Sequence, residues 1–220
     1  HDTLLCFSNL GKVYWLKVYE IPQASRIAKG RPLVNLIQLD TEERITSLLN
    51  IESFDAAGFV FMATVKGVVK KTPLEDFRLP RKNGKRAIKL DAKDELVGTK
   101  ITDGKQHIML ISDAGKAVYF DEKDSRPLGR DTRGVKGIDL SDEQKVISLM
   151  VPSLEDEILT VSENGYGKKS KIADFRKTKR GAKGVIAMQL SERNGKLISA
   201  VQVLEDCLLY TSDAADECLC

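Results

Sequence analysis

FVFMATVKGVVKKT, residues 59–72, consists of two apolar runs separated by a short polar stop that ends in Gly67. The apolar residues come as unbroken runs and do not recur every three or four positions, so no helical period is present. A three-residue stop closed by glycine between two β-rich runs is the signature of a hairpin. The closing residue there takes a positive φ, which glycine adopts without steric cost. The pattern returns in TLLCFSNLGKVYWLKV (3–18), HIMLISDAGKAVYF (107–120) and EILTVSENGYGKKS (157–170). Their turn glycines are Gly11, Gly67, Gly115 and Gly165, spaced by 56, 48 and 50 residues.

A second pattern alternates with the first. RPLVNLIQLDTEERITSLLNI (31–51), RAIKLDAKDELVGTKI (86–101), KGIDLSDEQKVISLMV (136–151) and GVIAMQLSERNGKLISAVQV (184–203) align on Leu36, Leu90, Leu140 and Leu190. In each, two strands are expected to flank a polar, acidic turn. The chain is therefore expected to be all-β, with repeats at about 1–57, 58–106, 107–156 and 157–206. Four strands per unit at this period favour a radial array of blades over a row of independent sandwiches, because stacked blades bury one another's faces and leave no long strand edge exposed.

Both ends interrupt the pattern. His1 and Asp2 stand directly before a strand, and the chain is read as a fragment. After Val203, CLLYTSDAADECLC (207–220) offers one apolar run and an acidic stretch, with no glycine turn and no returning strand. CLLYTSDAADE looks like the translation of a transposon-end adapter used in sequencing-library preparation, so residues 207–220 are read as a non-native tail.

With 220 residues, 42% of them hydrophobic, the chain can bury a sizeable core. No apolar run approaches the length of a membrane span and no signal-peptide order opens the sequence, so a soluble cytoplasmic protein is expected. Cys6 is alone in the body of the chain, while Cys207, Cys218 and Cys220 crowd the end without paired spacing, so neither a disulfide framework nor a metal site is indicated. His1 and His107 are far apart, and no nucleophile elbow, H-E-x-x-H or Walker A pattern occurs. NGYGKKS (164–170) lacks the phosphate-loop spacing and occupies a hairpin position. Tyr14, Trp15 and Phe120 lie in strand runs and are assigned to packing rather than base stacking. No catalytic residue and no cofactor is expected for this chain.

The net charge of +3 conceals a strong segregation. Residues 66–89 carry nine Lys or Arg against Glu75 and Asp76, and residues 168–183 carry eight against Asp174, a local net of +7 in each. The first unit repeats this more weakly, and in the third the bases are partly offset by Asp121, Glu122, Asp124 and Asp131. Acids otherwise gather in different turns, as at Asp40, Glu42 and Glu43 or Asp142 and Glu143. A single basic run is ordinarily a solvated face. Four at the same phase of a repeat carry more weight, because rotation-related blades place the same connector on the same rim and create one curved positive track.

A curved positive track suits duplex DNA, which presents a phosphate charge about every 1.7 Å of axis and releases counterions when Lys and Arg neutralise it. The expected contacts are Arg26, Lys29 and Arg31 in the first unit and Lys70, Lys71, Arg78, Arg81, Lys82, Lys85 and Arg86 in the second. The third supplies Arg126, Arg130, Arg133 and Lys136, and the fourth Lys168, Lys169, Lys171, Arg176, Lys177, Lys179, Arg180 and Lys183. Gly30, Gly84, Gly134, Gly137, Gly181 and Gly184 lie among these bases, where they serve as turn residues or let backbone N–H groups approach phosphates. A propeller-type protein-interaction scaffold is the alternative; it calls for exposed apolar anchors and no charge in phase with the repeat. An enzyme with its site in a central channel would need convergent acids, histidines or a cofactor motif.

HDTLLCFSNLGKVYWLKVYEIPQASRIAKGRPLVNLIQLDTEERI (1–45) closely resembles the opening of the C-terminal domain of the bacterial DNA gyrase A protein. VFMATVKGVVKKT, SLMVP, ILTVSENGYGKKS and RGAKGVIAMQLSERNGKLISAVQV extend the resemblance in order to about residue 206. AKGRPLVNLI and TVSENGYGKKS look more like gyrase than like its topoisomerase IV paralogue. The resemblance implies a β-pinwheel, a six-bladed propeller-like disc whose blades exchange strands, here truncated to about four blades, which wraps double-stranded DNA around its basic perimeter. It also implies a place in a type II topoisomerase that introduces negative supercoils. That enzyme pairs gyrase A with gyrase B in an A2B2 heterotetramer, with ATP and Mg2+ bound elsewhere in it. The glycine-rich gyrase box of that family lies upstream of the residue matching His1 and is absent here, so the expected wrap is incomplete.

Overall fold

The computed structural model describes residues 2–55 and 57–203, and all of the regular structure in them beyond short 3-10 turns is β-strand. Each quoted hairpin forms where expected: β1 (Thr3–Ser8) with β2 (Lys12–Lys17), β4 (Phe59–Thr64) with β5 (Val68–Pro73), β8 (His107–Ser112) with β9 (Lys116–Asp121), and β12 (Glu157–Ser162) with β13 (Gly167–Lys171). The first strand of each hairpin pairs on its other side with the last strand of its own unit: β3 (Ile45–Ile51), β7 (Leu96–Thr102), β11 (Val146–Met150) and β15 (Leu197–Val203). These last strands contact one another in succession, β3 with β7, β7 with β11 and β11 with β15, and so form the inner side of the array.

In the first three blades the fourth strand is borrowed. β6 (Lys85–Arg86), β10 (Val135–Lys136) and β14 (Val185–Ile186) pair with β2, β5 and β9, the hairpins of the preceding units. The sheets therefore run β3-β1-β2-β6, β7-β4-β5-β10, β11-β8-β9-β14 and β15-β12-β13. This strand exchange rules out a row of self-contained sandwiches and makes the described residues a β-pinwheel of four blades.

The unbroken apolar runs have a direct explanation. Successive side chains of a strand point to opposite faces. In β4, Val60 and Met62 pack towards the first blade with Phe7 and Val13, whereas Phe61 and Ala63 pack towards the third with Ile108 and Leu110. In β8, Met109 and Ile111 turn to the fourth blade and meet Ile158 and Ile172. A strand buried on both faces needs apolar residues at every position, and burying each large one contributes about 2 kcal/mol.

The turn glycines serve two purposes. Gly11, Gly67 and Gly115 have φ of +73°, +79° and +71°, and the carbonyl of each accepts two backbone N–H groups from the next unit. The donors are Ala87 and Ile88, Gly137 and Ile138, and Ala187 and Met188, at 2.8 and 3.2–3.3 Å. A Cβ on Gly11 would lie 2.9 Å from the Ile88 carbonyl oxygen. Gly165 shares the φ, +79°, but no atom lies within 4 Å of where its Cβ would be.

One expected strand is missing. Residues 31–39 form a 3-10 turn at Leu33–Asn35 instead, and Leu33, Leu36 and Leu39 pack on their own blade against Cys6, Tyr14, Leu16 and Ile37. The equivalent strands of later units exist only by pairing with a preceding hairpin; no such partner exists among the described residues, and Pro32 has no N–H to offer one. His1 and the 207–220 tail lie outside the described residues.

Candidate nucleic-acid interface

The basic connectors converge because the borrowed strands carry them outward. β6, β10 and β14 end their sheets on the side away from the inner strands, which places Lys85, Arg86 and Lys136 on the outer edge; among the described residues β13 is the edge of the fourth sheet and carries Lys168, Lys169 and Lys171. Adjacent connectors are also joined. The Arg130 guanidinium donates to the carbonyl of Arg86 at 3.4 Å, and Arg180, fifty positions later, donates to the carbonyl of Lys136 at 2.5 Å and to that of Asp124 at 3.1 Å. Main-chain bonds run alongside, from Lys89 N–H to Thr132 O at 3.1 Å and from Asp139 N–H to Ala182 O at 2.9 Å. The connectors of the first two units meet at a groove of about 280 Å³ lined by Trp15, Glu20, Gln38, Pro80, Arg81 and Lys82.

The electrostatics of this edge reflect the crowding. Lys85 sits below the usual lysine range, first through partial desolvation and then through the positive charges of Arg130 and Arg81. Its ammonium lies 5.8 Å from the centroid of the Trp15 ring, a cation–π contact. Like charges held together in this way would be relieved by an arriving polyanion.

Lys70 and Lys71 depart from the expected set, and their position in the fold explains why. Their strand β5 is covered by β10 and by the connector of the third unit, which leaves Lys70 0% and Lys71 4% exposed. The Lys70 ammonium donates to the carbonyls of Ala87 at 2.8 Å, Thr132 at 3.1 Å and Arg130. Lys71 donates to the Glu122 carbonyl at 3.1 Å, faces the buried Glu122 carboxylate at 3.8 Å and lies 5.0 Å from the Phe59 ring centroid. Neither side chain is free to meet a phosphate.

Every other base of the expected set is exposed or half-buried. Some hold surface ion pairs: Arg78 with Asp55 at 3.1 Å, Arg133 with Asp91, Lys136 with Asp139, and Lys169 with Glu157. Such exposed pairs are worth at most about 1 kcal/mol and exchange readily for a phosphate. Arg26, Lys29 and Arg31 lie in an exposed stretch of the first connector.

Most of the rim glycines pack rather than present their backbone. A Cβ on Gly84 would meet the Tyr14 ring at 2.7 Å, and Gly134 and Gly184 would collide with the main chain of the preceding blade. The Gly84, Gly137 and Gly181 N–H groups are already donated, to Arg81, Gly67 and Gly137. Gly30 alone of the six has open space around it.

Glu122 faces the buried Lys71 ammonium from inside the fold. Within a charged run it is the one acid taken fully inside, where it accepts bonds from Thr102 Oγ1 at 2.5 Å, Gly104 N–H at 3.1 Å and Gln106 N–H at 3.3 Å. Nothing in the sequence distinguishes it from Asp121 or Asp124.

Comparison with known proteins agrees with this architecture. The family model described as the DNA gyrase C-terminal domain, a β-propeller, matches residues 2–52, 58–103, 106–153 and 156–203, one match per blade. The chain belongs to the DNA gyrase C-terminal domain family. Its relatives include the DNA gyrase A protein of Klebsiella oxytoca, 50% identical over 145 residues covering 66% of this chain and 17% of that protein. The DNA gyrase A protein of Haemophilus influenzae is 51% identical over 141 residues, 64% of this chain and 16% of that protein. The matches thus span about one-sixth of the curated relatives' length. Among solved structures, a DNA topoisomerase IV C-terminal domain superposes with a TM-score of 0.84 at 29% identity, over 92% of this chain and 64% of that one. A DNA gyrase A C-terminal domain gives 0.79 at 28% identity, over 94% and 67%. Among the described residues no helix is long and apolar enough to cross a membrane, and no group of three His, Cys, Asp or Glu side chains is placed to hold a metal ion.

Proposed function

We propose that this gyrase C-terminal domain binds duplex DNA without regard to sequence and bends it around the outer edge of the blades, as part of the gyrase A protein of a type II topoisomerase that introduces negative supercoils. The observation that carries this reading is the edge-to-edge run of basic connectors, in which Arg130 reaches back to the Arg86 carbonyl and Arg180 to that of Lys136. Phosphates running along that edge would meet a cationic group at each blade, and their counterions would be released. Bending 40–90° over a short site costs on the order of 1–6 kcal/mol, which many weak contacts distributed over several blades can offset. Within the parent enzyme, an A2B2 assembly of gyrase A with gyrase B in the cytoplasm, the bent segment would be presented to the strand-passage machinery. ATP and Mg2+ belong to that machinery and not to this domain.

Relaxation of closed circular plasmid by a nicking–closing topoisomerase in the presence of increasing amounts of the chain tests the reading. Wrapping leaves a residual linking difference that grows with protein and then saturates. An unchanged topoisomer distribution with retained binding would reduce the function to binding alone, and loss of both would favour the protein-interaction scaffold.

A further inference from the structure

We propose that Lys70 is a positioning residue for the cationic edge: its buried ammonium spans the joint between the second and third blades and fixes the connector that carries Arg130 and Arg133. An ammonium has three N–H donors and no acceptor. Lys70 finds three carbonyls, that of Ala87 in its own unit at 2.8 Å and those of Arg130 and Thr132 in the next, the latter at 3.1 Å. All three donors are matched, in a site with 0% exposure.

The arrangement acts on both neighbours of the clamp. Arg130 is held by its carbonyl while its guanidinium donates to Arg86 O at 3.4 Å. Thr132, whose carbonyl also accepts the Lys89 N–H at 3.1 Å, directly precedes Arg133. Removing the ammonium would take the donor from the Ala87 and Arg130 carbonyls, leave Thr132 with the Lys89 N–H alone, and free this stretch of the connector.

The repeat supplies an internal control. Three residues after the turn glycine stand Tyr14, Lys70, Val118 and Lys168. Lys168 makes the corresponding bond to Ala187 O, at 3.3 Å, but remains exposed. Val118 offers no ammonium, and the following connector has the arginine bonds, Arg180 to Asp124 O and Lys136 O, the latter the counterpart of Arg130 to Arg86 O. Each joint among the later blades thus has a cation bound to main-chain carbonyls, drawn from one side or the other.

The consequence for DNA rests on the proposed function; the clamp itself does not. In Lys70→Met, amide hydrogen exchange across residues 128–134 is expected to accelerate at least tenfold while that of β4 and β8 is unchanged. Affinity for random-sequence duplex should fall about threefold or more, with a shallower salt slope although the substituted side chain never touched DNA. Unchanged exchange at 128–134 in a folded variant would overturn the proposal. Failure of the unsubstituted chain to bind duplex would remove only the DNA consequence. If the variant does not fold, the unsubstituted chain still decides: the Lys70 ammonium should show slowly exchanging protons and hydrogen-bond couplings to the carbonyl carbons of 87, 130 and 132, and their absence refutes the clamp.

Discussion

The second and fourth blades carry nearly the same hairpin edge, VKGVVKKT and ENGYGKKS, with two lysines at the same phase after the glycine, yet the structure treats them oppositely. Lys70 and Lys71 are inside the protein; Lys168 and Lys169 are exposed. The difference is not local. The second blade receives β10 and the covering connector of the third unit, whereas among the described residues the fourth sheet has three strands and nothing paired with the outer side of β13. In a strand-exchanging fold the hairpin edge of one unit is buried by strands of the following repeat, so the burial of these lysines is set by residues distant in the chain.

The comparison can be broken most severely at its acids. Glu122→Ala, which abandons Lys71 as a buried unpaired charge, is expected to cost about 3–5 kcal/mol in urea unfolding. Glu157→Ala, which loses only the partner of the exposed Lys169, should cost about 1 kcal/mol or less. Equal losses would mean that the two positions are not distinguished by burial.

The glycines give the next contrast. Gly67→Ala adds a strained positive φ and a Cβ that would lie 2.7 Å from Ile138 Cγ2, for a combined loss of about 3 kcal/mol. Gly165→Ala meets only the strain, about 1 kcal/mol. A matched pair of denaturation midpoints would remove the close-approach argument.

A smaller effect should appear with pH. Burial holds the Lys70 ammonium down to about 8 against an ordinary 10.5. Folded chains then bind fewer protons than unfolded ones between those values, so stability relative to Lys70→Met should rise with pH there, by about 1 kcal/mol per pH unit at most. A flat difference between pH 8 and 10 would contradict that burial. Smallest in stability is Lys169→Ala, within about 0.5 kcal/mol of the parent; its effect belongs to DNA binding, where the salt slope should become shallower by about 0.9.

Much of this was legible in the sequence. The four turn glycines and the doubly apolar runs of β4 and β8 specified hairpins buried on both faces, and the phase of the basic connectors specified a common edge. What stayed hidden followed from pairing between units. Residues 31–39 have the apolar pattern of a strand, but a strand needs a partner edge and Pro32 withholds a donor, so a 3-10 turn results. Lys70 and Lys71 looked like surface bases because a lysine's burial depends on carbonyls and acids distant in the chain. The rim glycines looked available to phosphates because close packing against Tyr14 or the preceding main chain leaves no trace in composition.

The salt dependence of binding to random-sequence duplex tests the central claim most directly, since it counts the phosphates that the edge neutralises. The proposed track predicts a log–log slope of roughly −5 or steeper, independent of DNA sequence and reduced stepwise by charge removal at Arg81, Lys82, Lys177 and Lys179. A slope near zero, or one indifferent to those substitutions, would show that the basic outer edge is not a path for DNA.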